Sequence, residues 1–229
     1  MKLSVDNPLR EVILVARKDL TIEWRSRVTT NQVAPLGLLI LIVFAFAFDA
    51  NPQLLSLGAP GLFWVGVLFS GLLTVQRAFT VEGVDGLTDA LRLSGLRPES
   101  IYLGKTLAVT IQLLFLEVLL FVGVIVFFDA SVDDWLLLIV AAVVGTSGFA
   151  AAGCIYGAMS LGLRVRETLL PLLLLPVVAP LLLAGSRAFD RALGVSTQAG
   201  WNWVAMLGVM FVVYLTLGTL SAGPLLEDG

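Results

Sequence analysis

Histidine is absent from this sequence, cysteine occurs once, and charged residues make up only 14% of the 229 positions. Without histidine, the chain lacks the commonest zinc ligand of proteins and the commonest general base of enzymes. The single Cys154 excludes an intramolecular disulfide, so cysteine usage does not indicate the redox compartment. An intramembrane enzyme needs several catalytic groups at one depth, and every aspartate here lies in a polar segment. We therefore expect a protein that is not an enzyme.

The residues that are present are predominantly apolar, with 58% hydrophobic residues and a mean hydropathy of +0.97. Soluble domains contain roughly 45–50% apolar residues and about 25% charged ones. A bilayer core is about 30 Å thick, and a helix needs roughly 20 apolar residues to cross it. The sequence predicts an all-α integral membrane protein, with one transmembrane domain over residues 1–229 and six spans: residues 30–48, 58–76, 106–128, 135–163, 168–185 and 203–223.

Lysine and arginine are concentrated at one end of the predicted spans. With both termini on the same side, that side holds twelve of the fourteen basic residues, and the other side holds Arg187 and Arg191. Positive charge is retained on the cytoplasmic side, so both termini are predicted to be cytoplasmic. The first thirty residues lack the pattern of a cleaved signal peptide. Four tryptophans are predicted to be anchors at the outer interface: Trp64, Trp135, Trp201 and Trp203.

The segment 8–28, before the first span, has the pattern of an amphipathic helix. Its apolar residues recur at helical spacing, and its charged residues lie mostly off that stripe: Leu9, Ile13, Ala16, Leu20 and Trp24 against Arg10, Arg17, Lys18, Asp19, Glu23 and Arg27. A basic amphipathic helix next to a span is typical of one that lies in the membrane interface. The 8–28 helix is expected to be either a plain membrane anchor or a docking surface for a cytoplasmic partner, and one helix can serve both purposes.

The largest polar loop, residues 76–105, contains the pattern of a short helix over residues 85–93. Leu87, Ala90 and Leu91 form its apolar side, and a glycine and a proline follow it: Gly95 and Pro98. Such a helix on the cytoplasmic side is either a handle for a motor subunit or a solvated connector. The outer loops are too short to form a separate substrate-binding domain.

Gly104-Lys105-Thr106 resembles the end of a nucleotide-binding P-loop. That loop needs a glycine five positions before its last one, so that backbone amides can surround the phosphates. The required position is Glu99, whose charge would repel phosphate. The sequence therefore predicts no ATP site in this chain.

One carboxylate lies in the middle of a predicted span. Glu117 is in the third span, where an ionised carboxylate costs roughly 2.5–3.5 kcal/mol. It therefore faces the bundle, pairs with another group or stays protonated. Gln112 and Thr110 add polarity to the same helix. The pattern indicates either a residue that lines a cavity or takes part in coupling, or a carboxylate hydrogen-bonded between helices.

Small residues and prolines distinguish the fourth and fifth spans. Gly153 and Gly157 have the spacing at which helix backbones approach closely. This spacing favours packing within the chain, and close packing also suits a second copy or a partner. Pro171, Pro176 and Pro180 each remove a backbone hydrogen bond, so the fifth span is predicted to be kinked or interrupted.

Motifs in five parts of the chain resemble, in the same order, those of one membrane-protein family. They are Asp19-Leu-Thr-Ile-Glu23-Trp-Arg25; Ala59-Pro60-Gly61-Leu-Phe-Trp64-Val65 with Ser70, Arg77 and Asp85-Gly86; Gly145-Thr146 with Gly148 and Gly153; Arg166-Glu167-Thr-Leu-Leu-Pro171; and Leu175-Pro176-Val-Val-Ala-Pro180-Leu-Leu. The family is CcmB, the permease of the cytochrome c maturation ABC system. The likeness runs from about Lys18 to Gly185 and includes the chain length and the number of spans.

The resemblance implies an ABC-2-like exporter permease of the bacterial inner membrane, with two copies per complex and no nucleic-acid partner. It implies a cytoplasmic CcmA-type ATPase that binds ATP and magnesium, the membrane subunits CcmC and CcmD, and the haem chaperone CcmE. Haem would be held by these partner subunits, and this chain is expected to carry no cofactor or metal. With such a motor, ATPase-coupling contacts are expected at the 8–28 helix and at two inner loops: Asp85, Gly86, Leu87, Asp89, Leu91, Arg92, Arg166 and Glu167.

The function implied by this resemblance is the coupling of ATP hydrolysis to haem export or to release of the haem-loaded chaperone. The alternatives are a permease that exports a lipid, a glycan or a drug, and a non-transporting membrane scaffold for the ATPase. Haem iron is usually held by histidine, methionine, cysteine or tyrosine. The candidates within the spans are few, chiefly Cys154, Tyr156 and Met159, so we expect that this chain does not ligate haem iron.

Overall fold

The computed structural model of the protein describes residues 7–27, 29–49, 51–84, 95–160 and 166–227. Within these ranges the chain forms seven α-helices and no strand: α1 (Pro8–Ser26), α2 (Ala34–Ala47), α3 (Pro52–Val84), α4 (Pro98–Phe128), α5 (Trp135–Met159), α6 (Arg166–Ala192) and α7 (Gly200–Glu227). A π-helical turn, Thr29–Val33, leads into α2. The all-α class predicted from the sequence is confirmed.

Five of these helices, α3 to α7, are long and apolar enough to cross a bilayer, with apolar parts of 24 to 31 residues. The first predicted span contains α2, which has 14 residues and covers about 21 Å at 1.5 Å per residue, together with the π-helical turn Thr29–Val33 before it. Together with α1, from which it is bent by 56°, this segment is a sixth candidate span. The chain is therefore a multi-pass membrane protein with five continuous candidate spans and a sixth, bent one.

Several helices extend beyond the predicted spans, into regions where charged residues are paired. Helix α3 continues past residue 76 to Val84, and α4 starts at Pro98 instead of residue 106. Arg77 and Lys105 lie in these extensions and pair with carboxylates of α1. Hydropathy marks the part of a helix that suits lipid, whereas the backbone hydrogen bonds continue into the polar region.

Contacts between helix ends define two ends of the bundle. At one end, the C-terminal part of α3 and the N-terminal part of α4 meet α1 through charged side chains. At the opposite end, the backbone N–H of Asp133, just before α5, donates to the Ala192 carbonyl at the end of α6 at 2.9 Å. We call the first the basic end, since it carries Arg77, Arg97 and Lys105.

Helix α6 is continuous through its three internal prolines, Pro171, Pro176 and Pro180. The interruption that was expected there as an alternative to a kink does not occur. Each proline removes one backbone N–H and the hydrogen bond that it would donate. Helix α7 contacts this region, where the Tyr214 hydroxyl donates to the Val177 carbonyl at 2.8 Å. Packing against α5 and α7 therefore supports the helical form of a proline-rich segment.

Trp64 is not an interface anchor, contrary to the prediction, because only 1% of its surface is exposed. Its ring lies between two glycines: a Cβ added at Gly145 of α5 or at Gly185 of α6 would lie 2.4 Å from a ring atom. The missing side chains at these glycines provide the space for the indole inside the bundle. Trp135 and Trp201 are exposed at the opposite end of the bundle.

Candidate functional site

Helix α1 lies against the basic end of the bundle with its acidic face turned inward. Glu11, Val15 and Ala16 are buried in this contact. The predicted apolar stripe points largely away from the bundle, and its members Leu9 and Ile13 are exposed. An exposed apolar stripe is available to lipid, as the interfacial interpretation of this helix requires.

Three carboxylates of α1 contact the helices on either side of residues 85–94. Their contacts are Glu23 Oε2 with Arg77 Nε of α3 at 3.3 Å, Asp19 Oδ2 with Lys105 Nζ of α4 at 3.4 Å, and Glu11 Oε2 accepting from the backbone N–H of Arg97 at 3.3 Å. We call these six residues the inner clamp. The clamp ties α1 to both helices that flank the segment 85–94.

Lys105 is the almost fully buried cation of the inner clamp. Its side chain is 3% exposed, and that of Asp19 is 13% exposed. The ammonium also donates to the Ala78 carbonyl at 3.3 Å and lies 4.8 Å from the centroid of the Phe79 ring. A buried ammonium requires such partners, because its transfer out of water costs several kcal/mol. Lys105 therefore joins α1, α3 and α4 at one point.

Helix α1 crosses α4 at a glycine. A Cβ added at Gly104 would lie 2.6 Å from Val15 Cβ and 2.8 Å from the Val12 carbonyl oxygen. Because glycine has no side chain, the two helices approach closely, and the next residue, Lys105, reaches Asp19. The Gly104-Lys105 pair, which resembles the end of a P-loop, is thus the place on α4 where α1 crosses this helix.

Tyr102 connects the same end of α4 to the remaining helices. Its hydroxyl lies 3.0 Å from the Ala151 carbonyl of α5 and 3.3 Å from the Tyr214 carbonyl of α7. Gly218 of α7 provides room for the phenol ring, since a Cβ there would lie 2.0 Å from it. Displacement of the start of α4 would therefore act on α5 and α7 as well as on α1.

Most of the residues predicted to contact an ATPase lie between two residues of the inner clamp, Arg77 and Arg97, in the sequence. Six of them lie outside the described residues: Asp85, Gly86, Leu87, Asp89, Leu91 and Arg92. Arg166 and Glu167 begin α6, and their side chains also lie outside the described part. The flanking residues are described: α3 ends at Val84, and Gly95, with a φ of 73° that suits glycine, precedes α4. The inner clamp therefore holds the two helices between which the predicted coupling segment lies.

Glu117 is buried in the middle of α4 and hydrogen-bonded to the neighbouring helix. Thr146 of α5 donates to Glu117 Oε1, and Glu117 is 4% exposed. The second carboxyl oxygen, Oε2, has no hydrogen-bond partner among the described residues. Gln112 is not part of this contact, because five residues separate the two positions by about 140° around the helix. The arrangement is an interhelical hydrogen bond that leaves one carboxyl oxygen available.

The two glycines with close-packing spacing face α3. A Cβ added at Gly153 would lie 2.7 Å from Val75 Cγ2, and one added at Gly157 would lie 2.4 Å from the Phe79 ring. Phe79 also contacts Lys105 of the inner clamp. The glycine face of α5 therefore supports the clamp through packing within the chain.

It was not predicted from the sequence that the acidic side chains of α1 face the bundle. Glu11, Val15, Asp19 and Glu23 recur at intervals of four, which places them on one helical face. This spacing was a usable signal, because a buried acidic face requires cations on the helices that it contacts. By contrast, the sequence did not indicate that Thr146 is the partner of Glu117, because its only relevant property was that it is a polar residue within a span.

Comparison with known proteins gives consistent matches over nearly the whole chain. A family model described as CcmB protein matches residues 10–227, a range that includes the inner clamp. The chain is 28% identical over 207 residues to heme exporter protein B of Haemophilus influenzae, covering 90% of this chain and 93% of that protein. It is 31% identical over 194 residues to heme exporter protein B of Paracoccus denitrificans, covering 82% and 84%. It is 28% identical over 215 residues to heme exporter protein B of Escherichia coli K12, covering 93% and 96%.

Proposed function

The chain belongs to the CcmB family, and we propose that it is the permease subunit of an ABC-type haem exporter in c-type cytochrome biogenesis. Its relatives are named heme exporter protein B and align over 82% to 93% of this chain. Its complex contains two copies of the chain, a CcmA-type ATPase, the subunits CcmC and CcmD, and the haem chaperone CcmE. ATP and magnesium bind to the ATPase, and haem binds to the other subunits.

The chain lies in the bacterial inner membrane with both termini in the cytoplasm. This proposal is supported by the segregation of basic residues, since Arg77, Arg97 and Lys105 lie at one end and Arg187 and Arg191 near the other. Lysine and arginine are retained on the cytoplasmic side of bacterial spans. The basic end, with the inner clamp, then faces the ATPase.

The chain works by mechanical coupling, and the observation that carries this proposal is the inner clamp. A motor that moves the segment 85–94 must move the end of α3 and the start of α4, which flank it. Both are paired with carboxylates of α1, so the three helices move together. ATP-driven closure of the motor thereby tilts α3 and α4 as a unit and drives haem export or release of the haem-loaded chaperone.

This subunit does not hold haem iron. The sequence has no histidine, and the chief candidate ligands expected from the sequence, Cys154, Tyr156 and Met159, lie on one helix, α5. Cys154 is fully buried within the bundle, whereas Met159 is exposed. An axial ligand must present its donor atom to a large planar ring, which Cys154 does not do. A haem titration of the isolated chain that gives a sharp ligated spectrum would refute this part of the proposal.

Co-purification tests the permease function directly. A tagged chain is expected to retain a nucleotide-binding ATPase and a haem-handling membrane subunit after solubilisation. Charge reversal in the coupling segment, Asp85→Lys or Asp89→Lys, is expected to reduce the retained ATPase severalfold. Asp129→Lys, the same charge change at an exposed site at the opposite end, is the matched control and is expected to have no effect.

The possible outcomes distinguish the permease function from the narrower assignment of the coupling segment. A wild-type chain that retains no nucleotide-binding subunit would contradict the permease function itself. Full ATPase retention by both reversals would contradict only the assignment of the coupling segment. Normal assembly of c-type cytochromes in cells that lack this chain would contradict the role in their biogenesis and favour another exported substrate.

A further inference from the structure

A groove runs between α1 and α4 on the outer surface of the bundle, near the basic end. Its apolar lining comes from both helices and includes Ile13, Leu20 and Trp24 of α1 with Leu107 and Ile111 of α4. Arg17 and Thr21 add polar groups on the α1 side. Trp24 is 80% exposed, so a large indole surface is open at this groove.

The charges of α1 are sorted between its two sides. Its carboxylates, Glu11, Asp19 and Glu23, contact the bundle through the inner clamp. Its four arginines are exposed, and within the described part of the chain none of them has a carboxylate partner: Arg10, Arg17, Arg25 and Arg27. The surface of α1 that faces away from the bundle is therefore cationic, although the whole chain has a net charge of −3.

The groove continues into the apolar surface of α4 that faces away from the bundle. Leu107 and Ile111 are followed on this helix by the exposed Phe115 and Val118. The α1 side of the groove thus carries a cation, and its α4 side continues along a membrane-spanning helix. A soluble protein segment would match the first property and leave the second without a partner, whereas an anionic amphiphile matches both.

We propose that this groove is a binding site for an anionic phospholipid of the membrane. The phosphate lies at the Arg17 guanidinium, and the acyl chains lie along Trp24, Leu107 and Ile111. Arginine suits phosphate because its planar guanidinium donates two parallel hydrogen bonds. The bound lipid covers the apolar stripe of α1 and holds this helix at the membrane surface, independently of the cargo that the complex moves.

Trp24 provides a probe at the site itself. The full chain is reconstituted into symmetric vesicles of phosphatidylglycerol and phosphatidylcholine, in which one lipid at a time carries brominated acyl chains that quench nearby indoles. The other four tryptophans are accounted for by subtracting the signal of Trp24→Phe. We expect brominated phosphatidylglycerol to quench Trp24 at a severalfold lower mole fraction than brominated phosphatidylcholine.

Two arginine variants separate a site from general surface charge. Arg17→Gln is expected to lower the preference for phosphatidylglycerol by about fivefold, the contribution of one basic residue at an anionic surface. Arg25→Gln removes the same charge from an exposed position on the same helix outside the groove, and is expected to keep the preference. The buried Cys154 must stay unreactive in both variants, which shows that they are folded.

Three results would overturn the proposal. Equal quenching of Trp24 by both brominated lipids would show that the groove does not select anionic lipid. An equal loss of preference in Arg17→Gln and Arg25→Gln would show diffuse attraction without a site. No quenching by either lipid would show that the groove is closed to lipid, as it would be beneath a protein partner.

Discussion

Removing either charge of the Asp19–Lys105 pair should destabilise the basic end, and the two substitutions should differ in how much stability they cost. Asp19→Asn removes a carboxylate that lies 3.4 Å from the Lys105 ammonium, and the side chain of Lys105 is only 3% exposed. Truncating one partner of a buried ion pair costs about 3–5 kcal/mol, because the buried charge that remains loses a favourable interaction for which it was desolvated. Lys105→Met has a smaller cost, about 1–3 kcal/mol. The Asp19 carboxylate keeps its ion pair with the Lys18 ammonium, at 2.9 Å, in this variant.

The only cysteine of the chain supplies the assay. Cys154 is fully buried and lines the same small cavity as Lys105 and Phe79, so it reacts with a maleimide dye only when this end opens. A loss of 3 kcal/mol raises an opening equilibrium by roughly 100-fold, since about 1.4 kcal/mol is tenfold. The labelling rate in detergent should therefore rise about 100-fold in Asp19→Asn and by less in Lys105→Met.

A control at the opposite end makes the comparison specific. Arg187→Gln breaks an exposed pair with Asp190 at 3.2 Å, and exposed pairs contribute about 0–1 kcal/mol. Its labelling rate should stay close to that of the wild type. Reaction of Asp19→Asn at the wild-type rate, or faster reaction of Lys105→Met than of Asp19→Asn, would contradict a stabilising role of this buried ion pair.

Three further predictions concern the crossing of α1, the centre of the bundle and the buried carboxyl. Gly104→Val should cost about 1–3 kcal/mol by overpacking and accelerate Cys154 labelling, whereas Gly208→Ala, whose Cβ would meet nothing within 4 Å, should not. Trp64→Ala should lower the thermal unfolding midpoint strongly, since removing a buried tryptophan costs about 3–5 kcal/mol; an unchanged midpoint would contradict its central packing role. Glu117→Gln preserves an acceptor for Thr146, so stability and cytochrome c assembly should remain close to wild type, and loss of assembly by a stable variant would instead indicate proton coupling.

The sequence was sufficient to predict what depends on hydropathy and spacing along one segment. The apolar stretches of α3 to α7 and the amphipathic pattern of α1 follow directly from side-chain transfer energies and helical periodicity. What depends on contact between segments was not predicted. Trp64 was assigned to the interface because tryptophan is common there, and its burial requires two glycines, Gly145 and Gly185, from other helices. The burial of Lys105 likewise requires Asp19, which lies 86 residues away in sequence.

Helix α4 is the element through which an event at the basic end can reach the opposite end. It has 31 residues, about 46 Å at 1.5 Å per residue, and no proline after its first position. It begins at the inner clamp, passes the Glu117–Thr146 hydrogen bond, and reaches Phe121, whose ring packs against Phe63 at 6.3 Å and Trp135 at 6.0 Å. A rigid helix that is held at the inner clamp, at Glu117 and at Phe121 tilts as a whole. A displacement at the clamp therefore requires the aromatic contacts at the far end to rearrange.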